Sequence, residues 1–494
     1  MAGFSENNKH ANKIRKKINK RREINKDIKR IAVFFSLCFI ALIVYIIIFM
    51  SSEASSVINN SYNRRSDTLI NVVKRGSILS SEGDVLAYTE TSESGTETRI
   101  YPYSNAFSHI VGFNSNGFSG LESSYNYYLL SSHTNILSKI GNEFLNKKSD
   151  GDGINTTLKT SLQLKAKELL GENYGAIICM NPDTGEIYAD VSYPDFDPNT
   201  IEEEWDNIVS DSANTVLLNR TTQGLYTPGS TFKLFTLYEY ILENQETYKN
   251  FTYDCTGSIT VGDTTISCLD GKAHGHQTLE EAFANSCNCA FAEIGKSLNI
   301  EKFTETCEKL LFNKEIDVDI ASYESILNLD INDSEFDIME TAFGQGSTLM
   351  TPLHLCMVMG AIANEGICMK PHLVKSVFSP SGDVIKKFQI EEYAELFTKD
   401  EAEILKNFLQ SVVLNGTASN LISDKYTAYG KTGTAETYSE DYGDFDHSWF
   451  SGWAEINEQK LAVCVIIENA ESAGLRAANI AGEIFDFYFA DAGA

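Results

Sequence analysis

A run of twenty residues, 31–50, constrains the fold of this chain more than any other feature of its sequence. The run contains no charged residue, and its polar side chains are confined to Ser36 and Tyr45. Twenty such residues in a helix are long enough to cross the hydrocarbon core of a bilayer. A helix that is apolar on every side must be buried either in protein or in lipid. We therefore predict one transmembrane helix over residues 31–50.

The thirty residues before this run are strongly basic. They contain 11 Lys or Arg and 3 Asp or Glu. Basic flanks stay on the cytoplasmic side of a membrane, and no Ala-x-Ala-like cleavage site follows the run. We therefore expect a single-pass, uncleaved signal anchor with a cytoplasmic tail, 1–30, and the bulk of the chain outside the cytoplasm. A basic tail can also bind nucleic acid, but its position directly before a membrane span favours the topological role.

The rest of the chain has the opposite charge balance. The net charge of all 494 residues is −28, and residues 31–494 hold 29 Lys or Arg against 65 Asp or Glu. This excess of negative charge argues against nucleic acid as a partner. The length exceeds that of one ordinary domain. We predict an N-terminal non-catalytic domain over residues 51–153 and a larger domain over residues 154–494.

The ten cysteines leave two interpretations open. One, Cys38, lies in the apolar run, and the others show no repeated spacing typical of metal ligands. Cys255 and Cys268 enclose a short segment and could form a disulfide outside the cytoplasm. Connectivity cannot be read from sequence, so burial of the thiols as small hydrophobic groups is the alternative. No metal site and no cofactor are predicted.

Strand patterns stand at both ends of the larger domain. A helix is predicted over 158–170, and a hairpin of two strands over 176–180 and 187–191 follows it. Thr351 and Pro352 fit the N-cap and the first position of a later helix. The last patterns are strands over 428–435, 449–456 and 461–468 and a helix over 477–489. We predict an α+β fold in which both ends of the domain form one antiparallel sheet flanked by helices. Two short strands over 72–79 and 83–87 indicate a mostly β N-terminal domain.

A serine and a lysine three residues apart begin a buried helical pattern. Ser230 follows Pro228-Gly229, and the apolar run 234–242 follows Lys233. Residues three apart share one face of a helix, so Lys233 would stand beside Ser230. A desolvated lysine can accept the proton of a serine hydroxyl, and the free amides of a helix start can stabilise negative charge. An isolated Ser-x-x-Lys is more often an N-cap with a surface lysine.

Two further patterns make the first one specific. Ser286 and Asn288 lie in a stretch with helical spacing, 279–294, and offer a hydroxyl and an amide. Lys431-Thr432-Gly433-Thr434 lies on a predicted strand before a hairpin. There Gly433 would allow close approach of a substrate or a neighbouring element. Lys431 and Thr432 supply a cation and a hydroxyl suited to a carboxylate.

Together the three patterns match S-x-x-K, S-x-N and K-T-G of the serine penicillin-recognising enzymes. The chain resembles the class B penicillin-binding proteins in particular. Further segments carry this resemblance: Arg75-Gly76-Ser77-Ile78, Gly120-Leu121-Glu122, Asn219-Arg220, His274-Gly275, Gly344-Gln345-Gly346 and His447-Ser448-Trp449-Phe450. The resemblance implies a penicillin-binding transpeptidase fold, preceded by one transmembrane helix and a non-catalytic pedestal domain. It departs at Leu79-Ser80-Ser81, where the family often has Asp-Arg.

The resemblance implies a peptidoglycan D,D-transpeptidase. Ser230 would attack the bond between the terminal D-alanines of a stem peptide, and Lys233 would take its proton. Ser286 would relay a proton to the leaving D-alanine, and Asn288 would hold the peptide amide of the donor. Lys431, Thr432 and Thr434 would hold the terminal carboxylate, and the amides of Ser230 and Thr434 would form the oxyanion hole. β-Lactams would acylate Ser230.

Other functions use the same motifs. A D,D-carboxypeptidase or a β-lactamase would pass the acyl group to water. A β-lactam sensor or a scaffold would turn over little, but a sensor should carry more membrane segments or a cytoplasmic signalling domain. The expected partners are stem peptides ending in D-Ala-D-Ala, β-lactams, the membrane and, by resemblance, a membrane glycan polymerase.

Overall fold

The computed structural model describes residues 3–52, 69–135, 141–142, 144–145, 147–211, 214–439, 443–469 and 473–490. The chain divides into two units, Met1–Arg64 and Arg65–Ala494. The first unit contains helix α1 (Gly3–Ser52), of which Ile28–Phe49 is long and apolar enough to cross a membrane. A helix over the predicted span is thus confirmed. Residues 53–68, at the start of the predicted N-terminal domain, lie outside the described residues.

The second unit, Arg65–Ala494, is a mixture of strands and helices along its described length. The strands are β1 (Val73–Lys74), β2 (Ile78–Leu79), β3 (Val85–Thr91), β4 (Glu97–Ile100), β5 (Ser149–Asp150), β6 (Gly153–Thr156), β7 (Gly175–Met180), β8 (Ile187–Tyr193), β9 (Thr252–Cys255), β10 (Ser258–Val261), β11 (Thr264–Ser267), β12 (Gly275–Thr278), β13 (Ile367–Met369), β14 (Val374–Phe378), β15 (Val384–Lys387), β16 (Glu392–Glu395), β17 (Thr427–Ser439), β18 (Gly443–Ile456) and β19 (Gln459–Ile467). The helices are α2 (Ser108–Val111), α3 (Gly120–Ser124), α4 (Asn126–Leu129), α5 (Thr160–Leu170), α6 (Ile201–Ser210), α7 (Lys233–Glu243), α8 (Leu279–Ala284), α9 (Asn288–Ser297), α10 (Ile300–Lys309), α11 (Glu335–Ala342), α12 (Pro352–Ala363), α13 (Lys399–Asn415) and α14 (Ala473–Tyr488).

Five strands form the main sheet, in the order β17-β18-β19-β7-β8, and every neighbouring pair is antiparallel. The sheet confirms the prediction that the two ends of the larger domain pair with each other. All six residues of β7 are buried, as are the last seven residues of the central strand β19. Helices α12 and α14 pack against it. All twelve residues of α12 are buried, so its sequence lacks a polar face.

A second sheet joins segments that are far apart in the chain, in the order β15-β14-β6-β2-β3-β4. Strand β6 lies between β2, which is parallel to it, and β14, which is antiparallel. The strand predicted over 83–87 is confirmed as β3, whereas the one predicted over 72–79 is split into β1, which pairs with β5, and β2, which belongs to this sheet. The pairing of β2 with β6 was not predicted, because long-range register leaves no local pattern in so short a strand.

A buried ionic cluster fixes the N-terminal part of this unit. Arg75 and Arg99 both pair with Glu122, which is fully buried, and Arg99 lies 2.7 Å from its carboxylate. Arg99 also donates to the carbonyl of Gly76 at 2.7 Å. These contacts tie the segment between β1 and β2 to β4 and α3. A buried carboxylate between two guanidinium groups has both of its oxygens satisfied.

Candidate active site

Ser230 lies where the chain enters helix α7, as its sequence context predicts. A 3-10 turn, Gly229–Phe232, holds the serine and runs directly into the helix at Lys233. Gly229 has a φ of +54°, and a Cβ atom there would lie 2.4 Å from the carbonyl oxygen of Thr434. Only glycine fits this position, because both the left-handed backbone and the space exclude a side chain. The close approach brings the start of α7 against strand β17.

Lys233 is fully buried and lies beside the serine. Its Nζ atom is 2.7 Å from Ser230 Oγ and 2.6 Å from Asn288 Oδ1. It is also 3.1 Å from the carbonyl oxygen of Ser286 and 3.2 Å from the hydroxyl of that residue. Burial lowers the pKa of Lys233 to about 7. A lysine with this pKa is partly neutral at physiological pH and can accept a proton.

The second motif lies at a break between two helices, which corrects the helical stretch predicted over 279–294. Helix α8 ends at Ala284 and α9 begins at Asn288, while Ser286 between them has a φ of +58°. The Cys287 sulfur caps α9 by accepting from the amide of Ala290. Apolar side chains continue in helical spacing on both sides of the break, so the sequence pattern does not reveal it. The break turns the Ser286 hydroxyl towards both lysines of the site.

Lys431 comes from the main sheet and contacts the same hydroxyl. It lies on β17, opposite Ser451 of β18, and is fully buried. Its Nζ atom donates to Ser286 Oγ at 2.9 Å and to the carbonyl of Thr432 at 3.1 Å. Burial and the neighbouring charge of Lys233 hold the pKa of Lys431 well below its usual value. Both lysines therefore share the Ser286 hydroxyl.

The remaining predicted residues form one wall of an open cleft. Gly433 allows close packing, since a Cβ atom there would lie 2.9 Å from Thr231 Cγ2 and 3.1 Å from Trp449 Cβ. The predicted close approach at Gly433 is thus made by neighbouring elements of the protein. The cleft has a volume of about 490 Å³. Six of the eight predicted site residues line it: Ser230, Ser286, Asn288, Thr432, Gly433 and Thr434.

Other residues of the cleft had no motif of their own. The hydroxyls of Thr417 and Thr432 lie 2.6 Å apart, which holds the Thr432 side chain from the end of helix α13. Asp270 and Lys272 reach the cleft from the loop after β11. Phe343 lines it, with its ring 6.0 Å from Lys233 Nζ. Phe343 directly precedes the Gly344-Gln345-Gly346 segment, which could have drawn attention to it. Thr417 gives no signal in the sequence.

A serine paired with a buried lysine, a second hydroxyl shared by two lysines, and a strand that carries Lys-Thr-Gly define the penicillin-recognising class of proteins. Comparison with known families identifies the group within this class. Residues 175–486 match the family model described as "Penicillin binding protein transpeptidase domain", and residues 75–154 match "Penicillin binding protein A dimerisation domain". The first match covers more than half of the chain. The chain therefore belongs to the penicillin-binding protein transpeptidase family, and the resemblance found in the sequence is confirmed.

Similar proteins extend over most of the chain. It is 27% identical over 417 residues to peptidoglycan D,D-transpeptidase PbpA from Mycolicibacterium smegmatis, which covers 80% of this chain and 84% of that protein. The crystal structure of the D,D-transpeptidase domain of a peptidoglycan glycosyltransferase from Eggerthella lenta has a TM-score of 0.76 at 28% identity, over 85% of this chain and 99% of that one. An imipenem acyl-enzyme complex of penicillin-binding protein A from M. tuberculosis has the same TM-score and coverage at 24% identity. These likenesses confirm the predicted fold class.

Proposed function

We propose that this chain is a membrane-anchored peptidoglycan D,D-transpeptidase that cross-links stem peptides through an ester on Ser230. The observation that carries this proposal is the 2.7 Å contact between Ser230 Oγ and the buried Nζ of Lys233. The name of the relative from Mycolicibacterium smegmatis and the acyl-enzyme title of the M. tuberculosis structure support it. The apolar helix segment Ile28–Phe49 supports membrane anchoring.

In the first half-reaction, Ser230 Oγ attacks the carbonyl carbon between the two terminal D-alanines. Neutral Lys233 accepts the hydroxyl proton, which its low pKa allows near pH 7. The amide bond then breaks, and the leaving D-alanine amine takes a proton through the Ser286 hydroxyl, which lies 3.2 Å from Lys233 and 2.9 Å from Lys431. The backbone amides of Ser230 and Thr434 stabilise the negative charge on the carbonyl oxygen.

In the second half-reaction, the amine of a neighbouring stem peptide attacks the ester carbonyl. A new amide bond forms, the ester bond breaks, and the proton of the amine returns to Ser230 Oγ through Lys233. A β-lactam reacts in the first step by opening its ring, so no group leaves the cleft and the ester persists. Over the two half-reactions, Lys233 acts first as a base and then as an acid. A pKa close to ambient pH favours both roles.

Three residues that line the cleft bind the donor peptide, and Lys431 acts from behind them. Asn288 holds the peptide amide, and the Thr432 and Thr434 hydroxyls hold the carboxylate, whose negative charge favours the protonated form of Lys431. Lys431 is buried and donates to Ser286, so it acts on the carboxylate through its field and through the hydroxyl that it orients. Gly433 leaves room for this wall to pack against the 3-10 turn that leads into α7. A positive field in a buried site is stronger than in water, which suits an anionic substrate.

Topology and partners complete the proposal. The basic residues before the span favour a cytoplasmic N-terminus and an extracytoplasmic catalytic domain. The substrate lies on that side of the membrane. A membrane glycan polymerase as a partner rests on the family resemblance.

Labelled penicillin provides the test. The full-length protein in detergent is incubated with it, and the adduct is located by peptide mass spectrometry. We expect a long-lived adduct on Ser230, its loss in Ser230→Ala and its retention in Ser419→Ala, a second serine of the cleft. A stem-peptide assay then separates dimers from hydrolysed monomers. An adduct in Ser230→Ala, or hydrolysed monomers as the sole product beside an amine acceptor, would refute the proposal.

A further inference from the structure

A cluster of thiols lies beside the cleft and has no part in the chemistry described above. Cys255, Cys268 and Cys287 are buried, and His274 is half-buried. The three sulfurs and one ring nitrogen of His274 all lie within 4.8 Å of one another. All three cysteines are free. The sulfurs of Cys255 and Cys268 are 3.7 Å apart, so the disulfide considered for this pair in the sequence analysis is not formed.

The fold brings these four residues together from three segments. Strands β9 and β12 pair in antiparallel register with Cys255 opposite Gly275, which sets His274 next to Cys255. Cys268 follows β11, and its amide donates to the carbonyl of Gly257 at 2.9 Å. Cys287 stands at the start of α9. The intervals between these residues along the chain match no common metal-binding motif, so the sequence alone gave no sign of the cluster.

Three of the six distances among these four ligand atoms match a tetrahedral site, and the other three are at most 4.8 Å. Zinc binds thiolate sulfur at about 2.3 Å and imidazole nitrogen at about 2.0–2.1 Å, which places two sulfurs about 3.8 Å apart and a sulfur and a nitrogen about 3.6 Å apart. The Cys268 sulfur is 3.7 Å from both the Cys255 and the Cys287 sulfur. The Cys255 sulfur is 3.5 Å from His274 Nδ1. Three thiols packed merely as small hydrophobic groups would not require an imidazole nitrogen at this spacing.

The groups around the sulfurs suit thiolates. The amide of Gly257 donates to the Cys255 sulfur, and the amide of Ala290 donates to the Cys287 sulfur, both at 3.4 Å. Amide donors of this kind orient metal-bound ligands and stabilise their negative charge. The hairpin β10–β11 also has little core of its own, since only Ile266 among its eight residues is buried. Small segments that bury few apolar side chains are commonly stabilised by a bound metal ion.

We propose that Cys255, Cys268, His274 and Cys287 bind one structural zinc ion. Four protein ligands close the coordination shell, so the ion has no open position for substrate. Cys287 stands between Ser286 and Asn288, and Asn288 Nδ2 donates to the carbonyl of Ser267, the neighbour of Cys268, at 2.9 Å. The ion therefore fixes the break between α8 and α9 and positions both residues of the second motif.

Metal content of the untagged full-length protein tests this assignment. Inductively coupled plasma mass spectrometry should find one zinc ion per chain. Cobalt(II) exchanged into the protein should give the intense visible absorption of a tetrahedral thiolate site. Cys255→Ser and Cys268→Ser should weaken zinc binding by more than about a hundredfold, because even loss of an outer-shell partner costs 10–100-fold.

Cys289 supplies the matched control. Its buried sulfur lies 3.6 Å from that of Cys268, yet it stands outside the assigned ligand set. Cys289→Ser should therefore keep its zinc. An equal loss of zinc in Cys289→Ser would overturn the ligand assignment. Wild-type protein that takes up neither zinc nor cobalt after reduction, or that carries a Cys255–Cys268 disulfide in place of metal, would overturn the site.

The rate of penicillin acylation tests whether the ion positions Ser286 and Asn288. Removal of the ion with a chelator should slow acylation of Ser230 by labelled penicillin about tenfold or more, because small displacements of catalytic groups carry large rate penalties. Added zinc should restore the rate. Unchanged acylation in protein shown to have lost its metal would refute this role. Because wild-type metal content is measured independently of penicillin, failure of the zinc site and failure of the proposed function are distinguishable.

Discussion

Asn288→Asp should move the pH dependence of acylation to higher pH. Asn288 Oδ1 lies 2.6 Å from Lys233 Nζ in the unmodified protein. A carboxylate at the same place favours the charged form of the lysine, so it raises the pKa that burial has lowered to about 7. A charged Lys233 cannot accept the proton of Ser230. The substitution is nearly isosteric and changes mainly the electrostatics of this contact.

The structure sets the size of the effect. With a pKa of about 7, the neutral fraction of Lys233 rises from about 9% at pH 6 to about 91% at pH 8, so acylation should increase about tenfold and then level off. An opposite charge this close raises a lysine pKa by about 1–3. The midpoint in Asn288→Asp should therefore lie at about pH 8–10. At pH 7 its acylation should be slower by about fivefold for a midpoint at pH 8 and by about five hundredfold for a midpoint at pH 10.

Stopped-flow acylation by a fluorescent penicillin, measured from pH 5.5 to 10, checks both profiles. Asn288→Ala is the control, because it removes the same hydrogen bonds, including that to the Ser267 carbonyl, without adding charge. Its midpoint should not rise above that of the wild type. The reasoning is refuted if the wild-type rate climbs tenfold per pH unit without a plateau, as for a lysine of pKa 10.5, or if Asn288→Asp keeps its midpoint at about 7.

Two further predictions concern stability and packing. Glu122→Ala should lower the unfolding free energy by about 3–5 kcal/mol in urea titrations, because Arg75 and Arg99 lose the carboxylate that pairs with both. Gly229→Ala should abolish penicillin acylation, because its Cβ atom would lie 2.4 Å from the Thr434 carbonyl oxygen and push α7 away from β17.

Each of these variants has a matched control. Glu97→Ala removes a half-exposed partner of Lys148 and should cost less than about 1 kcal/mol. An equal loss in both glutamate variants would contradict the special position of Glu122. Gly262 has a φ of +60° with nothing near its Cβ position, so Gly262→Ala carries the backbone cost of about 1–2 kcal/mol without the clash. Normal acylation in Gly229→Ala would show that the contact with β17 is dispensable.

The sequence predicted those parts of the site that depend on local geometry. The interval between Ser230 and Lys233 implied a shared helix face, and the two residues do lie 2.7 Å apart. The meeting of Lys431 with Ser286 joins residues 145 positions apart. Only the family resemblance suggested it, because periodicity carries no information on such contacts.

Three other features could not be predicted from the sequence, each for a physical reason. The break at Ser286 depends on a single left-handed residue, and the apolar spacing on both sides hides it. Thr417 contacts Thr432 only because α13 ends beside β17. The thiol cluster depends on the register of β9 and β12, which short polar strands do not specify from sequence.

The second sheet has a practical consequence for anyone who shortens the chain. Strand β6 (Gly153–Thr156) supplies the hydrogen-bonding partner of β14 on one side and of β2 on the other. A fragment cut just after residue 156 would leave one edge of the β14–β15 hairpin unpaired, and such an edge invites association with other chains. A cut just before β6 would instead expose the edge that faces β2. A fragment expressed without the membrane helix should therefore begin upstream of residue 69, so that one polypeptide contains the whole sheet.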